Sequence, residues 1–172
     1  KTAHHSRPPL YLASNNAHKA EELKAMLGGL FEVRLGNELK AGLSWDERGE
    51  TFAANARIKA DAVRQFTKER VLADDSGLEV DALHGAPGVH SARYAGRDGD
   101  TGANNAKLIA ELRGIPDQLL RARFVCVLHY IDENGAHQDF RGECHGRIVT
   151  SARGTHGFGY DPLFVVDGTG KT

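Results

Sequence analysis

Val71-Leu72-Ala73-Asp74-Asp75-Ser76-Gly77 is the stretch on which the reading of this chain turns. Three apolar residues mark a buried strand, and Gly77 offers a turn at its end. A turn has no need of two adjacent acids. Side by side, two carboxylates repel unless one takes a proton or a cation sits between them. A hard divalent ion such as Mg²⁺ would keep both ionised and would take phosphate oxygens as further ligands. The plainer reading has one acid capping the turn and the other in solvent.

Working outward, Thr51 suits a helix N-cap, with Phe52, Ala56, Ala60, Val63 and Phe66 along one face of the helix that follows. Asn55 and Lys59 are four residues apart and share a face. Lys59 either snorkels at the edge of the apolar face or points at phosphate. Glu47, in the polar loop before this helix, would be a third carboxylate. Nearer the N-terminus, Leu10-Tyr11-Leu12-Ala13 is a short strand and Ser14, Asn15 and Asn16 suit a turn and cap. Leu23, Met26, Leu27 and Leu30 then recur at helical spacing before a strand over 31–35. A helix start attracts anions, and Lys19 adds a cation on its first turn. An ordinary capped helix explains the same residues without a ligand.

Downstream, glycines crowd residues 77–102, and Asn104 to Arg113 has a helical pattern. Phe124 to Ile131 is a strand closed by Asp132-Glu133-Asn134-Gly135, a hairpin turn signal. The return strand falls near 137–149, broken by Gly142 and Gly146. Gly154 to Pro162 is too glycine-dense for a packed strand. Its glycines permit close backbone approach to a ligand, and its aromatics either stack on a base or fill the core. Gly170-Lys171-Thr172 mimics the tail of a P-loop, but Val165 stands where that motif needs glycine. Helices between early strands and a late hairpin predict an α/β fold with a mixed sheet.

At 172 residues and a net charge of −1, the chain is one domain, or one domain with two lobes. Nothing in its charge suggests nucleic acid or a membrane surface as partner. No apolar run approaches the ~20 residues of a membrane span. Cys126 and Cys144 lack CxxC spacing, and the histidines lack zinc-site spacing, so a reduced, cytoplasmic protein is expected. Residues 1–9 are expected to be a loose extension.

In combination these segments resemble the inosine/xanthosine triphosphate pyrophosphatases, the HAM1-like family. Ala73 to Leu78, Gly85 to Tyr94 and Gly157 to Phe164 carry the resemblance most strongly. Thr51 to Ala56 with Lys59, and Leu12 to Asn16 with Lys19, match as well. The resemblance implies a two-lobed α/β domain, with a long central mixed β-sheet flanked by helices and an active cleft between the lobes. It implies hydrolysis of ITP, dITP and XTP to the monophosphate and pyrophosphate. By position, Ser14, Asn15, Asn16, Ala17, His18 and Lys19 would hold phosphates, with Lys59 beside them. Glu47, Asp74 and Asp75 would form an Mg²⁺ site of one or more ions per subunit, Mn²⁺ being an alternative. Asp75 matches the proton acceptor and Ser76 a substrate contact. Phe158, Gly159, Tyr160 and Asp161 match the segment that binds base and sugar. The resemblance also implies a homodimer.

The chain departs from the family pattern in three places. Ser14-Asn15-Asn16 replaces Thr-Gly-Asn, Ala54 replaces a frequent glutamate, and residues 10–172 lack the family's following helix and Ser-His-Arg segment. Two rival readings are a pyrophosphatase for modified pyrimidine triphosphates, in the manner of Maf-like proteins, and a nucleotide-binding module that no longer hydrolyses. A purely structural domain would lack a polar site joining Lys19, Glu47, Lys59 and Asp75.

Overall fold

The structure is a computed structural model that describes residues 6–172. Its six strands form one sheet in the order β2-β1-β3-β4-β5-β6, with helices between the early strands. The elements are β1 (Pro9–Ala13), α1 (Ala17–Leu27), β2 (Glu32–Leu35), α2 (Phe52–Arg64), β3 (Arg70–Val80), α3 (Thr101–Glu111), β4 (Arg121–Ile131), β5 (His137–Ile148) and β6 (Phe164–Val166). β1 lies parallel to both β2 and β3, whereas β6 runs antiparallel to β5. The expected α/β mixed sheet is therefore present. Of the expected extension, residues 1–5 lie outside the described residues, and Pro9 already opens β1.

Two compact units divide the chain. The first runs up to Asp75 and includes Val127–Phe140; the second holds Ser76–Cys126 and Arg141–Thr172. The first is built on both faces of β1 and β3, because parallel strands covered by helices must be apolar on both sides. Leu10, Leu12 and Leu72 pack with Ala20 of α1. Tyr11, Ala13, Val71 and Ala73 pack with Ala60 and Val63 of α2. Side chains along a strand alternate faces, so even-numbered residues of this stretch turn to α1 and odd-numbered ones to α2. The second unit centres on Leu78, Leu108, Leu112, Leu120, Ile148, Tyr160, Leu163 and Phe164.

Several expectations require correction. The strand that begins at Arg70 does not stop at the acids. It runs unbroken through Asp74, Asp75, Ser76 and Gly77 to Val80, so Gly77 makes no turn. The return strand β5 is likewise continuous across Gly142 and Gly146. Gly146 is there for closeness: a Cβ on it would fall 2.2 Å from the Val165 carbonyl oxygen of β6. Met26 and Leu30 share the helical spacing of Leu23 and Leu27, yet they are 74% and 67% exposed: Met26 lies on the solvent side of α1, and Leu30 lies past its end at Leu27. Phe66 lies past the end of α2, beneath the Lys40 ammonium. At the hairpin, Asp132 Oδ1 accepts from the amides of Asn134 and Ala136, and Gly135 takes the positive φ the turn requires. Among the described residues, no helix is long and apolar enough to cross a membrane.

Candidate active site

The alternation of β3 decides what its two acids do. Asp74 turns to the α1 side and Asp75 to the α2 side. Both are nearly buried, at 4% and 8% exposure. Neighbours in sequence, they point to opposite faces of the sheet, and each is paired with a different lysine, though Lys19 also acts on Asp75 at longer range. Lys19, from the first turn of α1, places Nζ 2.8 Å from Asp74 Oδ2. Lys59, from the middle of α2, places Nζ 3.5 Å from Asp75 Oδ1 and 2.5 Å from Glu47 Oε1. The same ammonium donates to the backbone carbonyl of Asp74 at 2.9 Å. Lys59 therefore does not snorkel to solvent. It sits between two carboxylates and a carbonyl, joining a loop, a helix and a strand of the first unit.

The electrostatics follow from burial. Desolvation works against the charge of Lys59, but Asp75 and Glu47 more than offset it and hold its pKa above the ordinary value. Lys59 is a fixed cation at neutral pH. Burial raises the pKa of Asp75 above the usual carboxylate value; the attraction of Lys59 opposes this and the negative charge of Glu47 adds to it. Asp75 Oδ2 is buried and has no hydrogen-bond partner among the described residues. Such an oxygen is costly to leave unpaired and suits a ligand.

The start of α1 follows the sequence expectation closely. Asn16 is the N-cap, and its Oδ1 accepts from the Lys19 amide at 3.2 Å. Ser14 Oγ accepts from the Asn16 amide, closing the turn that leads from β1 into the helix. Asn15, Asn16, Ala17 and His18 are exposed, and Ser14 and Lys19 half-buried. A polar turn at the positive end of a helix, with an ammonium on the first turn, is chemically suited to phosphate.

Whether a hard divalent ion fits can be judged from the donors. Among the described residues, no three His, Cys, Asp or Glu side chains converge as a metal-binding group. Glu47 and Asp75 nevertheless share one cation, the Lys59 ammonium, and Asp75 keeps an unused oxygen. Mg²⁺ is commonly bound by one or two carboxylates, with substrate phosphates and water completing its shell. These two residues fit that pattern. Asp74 fits it less well, because its carboxylate is committed to Lys19 on the other face.

The segment 157–161 belongs to the second unit and is held differently. Phe158 donates its amide to Asp161 Oδ2 at 3.0 Å, and Asp161 donates its own to the Phe158 carbonyl. Gly159 has a φ of 59°. A Cβ on Gly157 would lie 2.5 Å from Asp161 Oδ2, so no side chain fits there. Tyr160 is 6% exposed; its hydroxyl donates to the Ser91 carbonyl, and burial raises its pKa. Its ring is core, not a free stacking face, whereas Phe158 is half-buried. Asn105 of α3 donates to the Gly159 carbonyl at 3.1 Å. Ser91 and Asn105 carried no sequence signal for this role, because their partners are 69 and 54 residues away. Ser76, next on β3 after Asp75, is half-buried.

Fold and site together define an α/β protein in which lysines and carboxylates gather where a strand meets the helices beside it. The chain belongs to the Ham1 family, whose model matches residues 10–172. It is 50% identical over 159 residues to a dITP/XTP pyrophosphatase of Desulforamulus reducens, covering 91% of this chain and 79% of that protein. A dITP/XTP pyrophosphatase of Clostridium perfringens is 43% identical over 169 residues, covering 94% of this chain and 82% of its own length. Among solved structures, the Staphylococcus aureus Ham1 protein superimposes with a TM-score of 0.85 at 38% identity, covering 95% of this chain and 84% of the other.

Proposed function

We propose that this chain is a nucleoside-triphosphate pyrophosphatase that hydrolyses ITP, dITP and XTP at the α–β phosphate bond, releasing the monophosphate and pyrophosphate. The observation that carries this reading is the Lys59 cluster: a fixed cation between Glu47 and Asp75, with an unpartnered carboxylate oxygen beside it. The names of relatives at 43–50% identity support the substrate class.

In this reading Ser14 to Lys19 take phosphate oxygens at the start of α1, and Lys59 neutralises charge beside them. Ammonium groups carry three donors, so Lys19 can keep Asp74 and still donate to phosphate. Glu47 and Asp75 hold Mg²⁺, with Asp74 as the weaker third member of the acidic set. When bound, the ion supplies charge neutralisation at phosphate and a lowered water pKa. Asp75 accepts the proton of the attacking water, through the oxygen that no group among the described residues occupies. Ser76 contacts the substrate, and the 158–161 turn takes base and sugar, with Phe158 the less buried of its two aromatics. Homodimerisation and a cytoplasmic location belong to the same proposal, as does the absence of a nucleic-acid partner.

The test is pyrophosphate release from ITP, dITP, XTP, ATP and GTP, with Mg²⁺ and with chelator. Release from the first three that depends on Mg²⁺ is expected. Equal rates on ATP and GTP, or release of orthophosphate alone, would refute the assignment.

A further inference from the structure

Glu47 lies in a stretch without helix or strand, between residues 43 and 49, yet its carboxylate reaches a lysine in the middle of a helix. Something must hold that loop. The side chain of Asn55 is the candidate. It is 1% exposed, and a buried amide needs partners for both its ends. Each end meets Gly49: Oδ1 accepts from the Gly49 amide at 2.7 Å, and Nδ2 donates to the Gly49 carbonyl at 3.3 Å. Hydrogen bonding from the same side chain also favours the charged form of Asp75. This two-point pairing fixes the backbone two residues beyond Glu47. It is not needed to start α2, since Thr51 Oγ1 already caps the helix by accepting from the Ala54 amide. The fit is close on the other side as well. A Cβ on Gly49 would lie 2.6 Å from Asn55 Oδ1 and 2.8 Å from Ala54 Cβ, so only glycine allows the approach. Asn55 also precedes Lys59 by one helical turn on the same face of α2. One face of one helix thus grips the loop and bridges its carboxylate to Asp75.

We propose that the Asn55–Gly49 clamp positions Glu47 for the divalent cation, which makes Asn55 a positioning residue of the acidic site. The proposal rests on the reading of Glu47 and Asp75 as the metal carboxylates. Groups that orient a metal ligand without touching the metal typically change affinity by about 10–100-fold when removed.

The test measures Mn²⁺ binding to the nucleotide-free protein by electron paramagnetic resonance, with ITP binding in chelator measured in parallel. Asn55→Ala and Gly49→Ala should each weaken Mn²⁺ binding by about 10-fold or more while leaving ITP binding in chelator within about twofold, as expected for loss of an orienting group. Gly49→Ala breaks the clamp from the half-exposed loop and keeps the Asn55 side chain beside Asp75, so it carries the test if Asn55→Ala fails to fold or acts through Asp75. Amide exchange gives a readout independent of metal: the Gly49 amide should lose protection in Asn55→Ala. Glu47→Gln separates the two layers of the argument. If Glu47→Gln loses Mn²⁺ and a folded clamp variant keeps it, the clamp is overturned and the metal reading stands. If Glu47→Gln itself keeps Mn²⁺, the metal reading falls and the clamp proposal falls with it.

Discussion

The Lys59 cluster of the first unit and the 157–161 turn of the second are held by different forces. Around Lys59 the holding is electrostatic. Two carboxylates and a carbonyl lie within 3.5 Å of the Lys59 ammonium in a largely dry setting. The turn is held by shape: a glycine with no room for a methyl, another with positive φ, and a tyrosine sunk into the core. The first is therefore vulnerable to changes of charge and pH, and the second to changes of volume.

That contrast can be broken at either end. The largest stability effect is expected from Lys59→Ala. Removing one partner of a buried ion pair leaves uncompensated charge and typically costs about 3–5 kcal/mol. Glu47 is a quarter exposed, so the loss should fall near the lower end, about 3 kcal/mol. Urea unfolding without divalent metal measures it. Lys59→Met, which restores the stem, should behave almost as badly if charge is what matters. Gly157→Ala comes next, at about 1–3 kcal/mol, the usual cost of overpacking. It should raise the KM for ITP while leaving Mn²⁺ affinity unchanged. Tyr160→Phe should cost about 1–2 kcal/mol, because the Ser91 carbonyl loses a buried donor, with little change in kcat.

The smallest effect is a pH dependence, and its sign is fixed by Asp75. The folded-state pKa lies above the ordinary 3.8, so the native protein binds this proton more tightly than the unfolded chain does. Stability from this group is greatest below 3.8 and falls as pH rises through the folded pKa. Other carboxylates titrate in the same range, so the informative quantity is the difference between the wild type and Asp75→Asn in metal-free buffer. That difference should move in favour of the variant as pH rises. A turn variant such as Tyr160→Phe should show no comparable trend, which sharpens the contrast between the two regions.

Local signals in the sequence were legible. Thr51 caps the helix it was expected to cap, and Asn16, one of the three residues suited to it, caps α1, because a cap is settled within three residues. The apolar face of α2 is buried at Phe52, Ala56, Ala60 and Val63 as its spacing implies. The Asp74-Asp75 pair stood out as a candidate site, but its geometry was not legible. Apolar residues followed by acids and glycine look like a strand ending, and only the neighbouring strands and helices allow β3 to continue through them. The opposite facing of the two acids follows from that continuation. Lys59 was placed near the acids, but its position between Glu47 and Asp75 depends on the loop clamped by Gly49. That glycine carries no signal until α2 is folded against it. Between stacking and core the sequence left Tyr160 open, since nothing nearby announces Ser91 as its partner.

The measurement that tests the account most directly is single-turnover hydrolysis of ITP by Asp75→Asn, with nucleotide binding and urea stability measured on the same protein. The amide keeps the shape of the side chain but can neither accept the proton nor neutralise a cation. If Asp75 is the base, turnover should fall by about 10²-fold or more, while nucleotide still binds and the fold is at least as stable above the window in which Asp75 titrates. A folded variant that retains more than about a tenth of the wild-type rate would contradict the assignment, because general bases typically contribute ~10²–10⁴-fold.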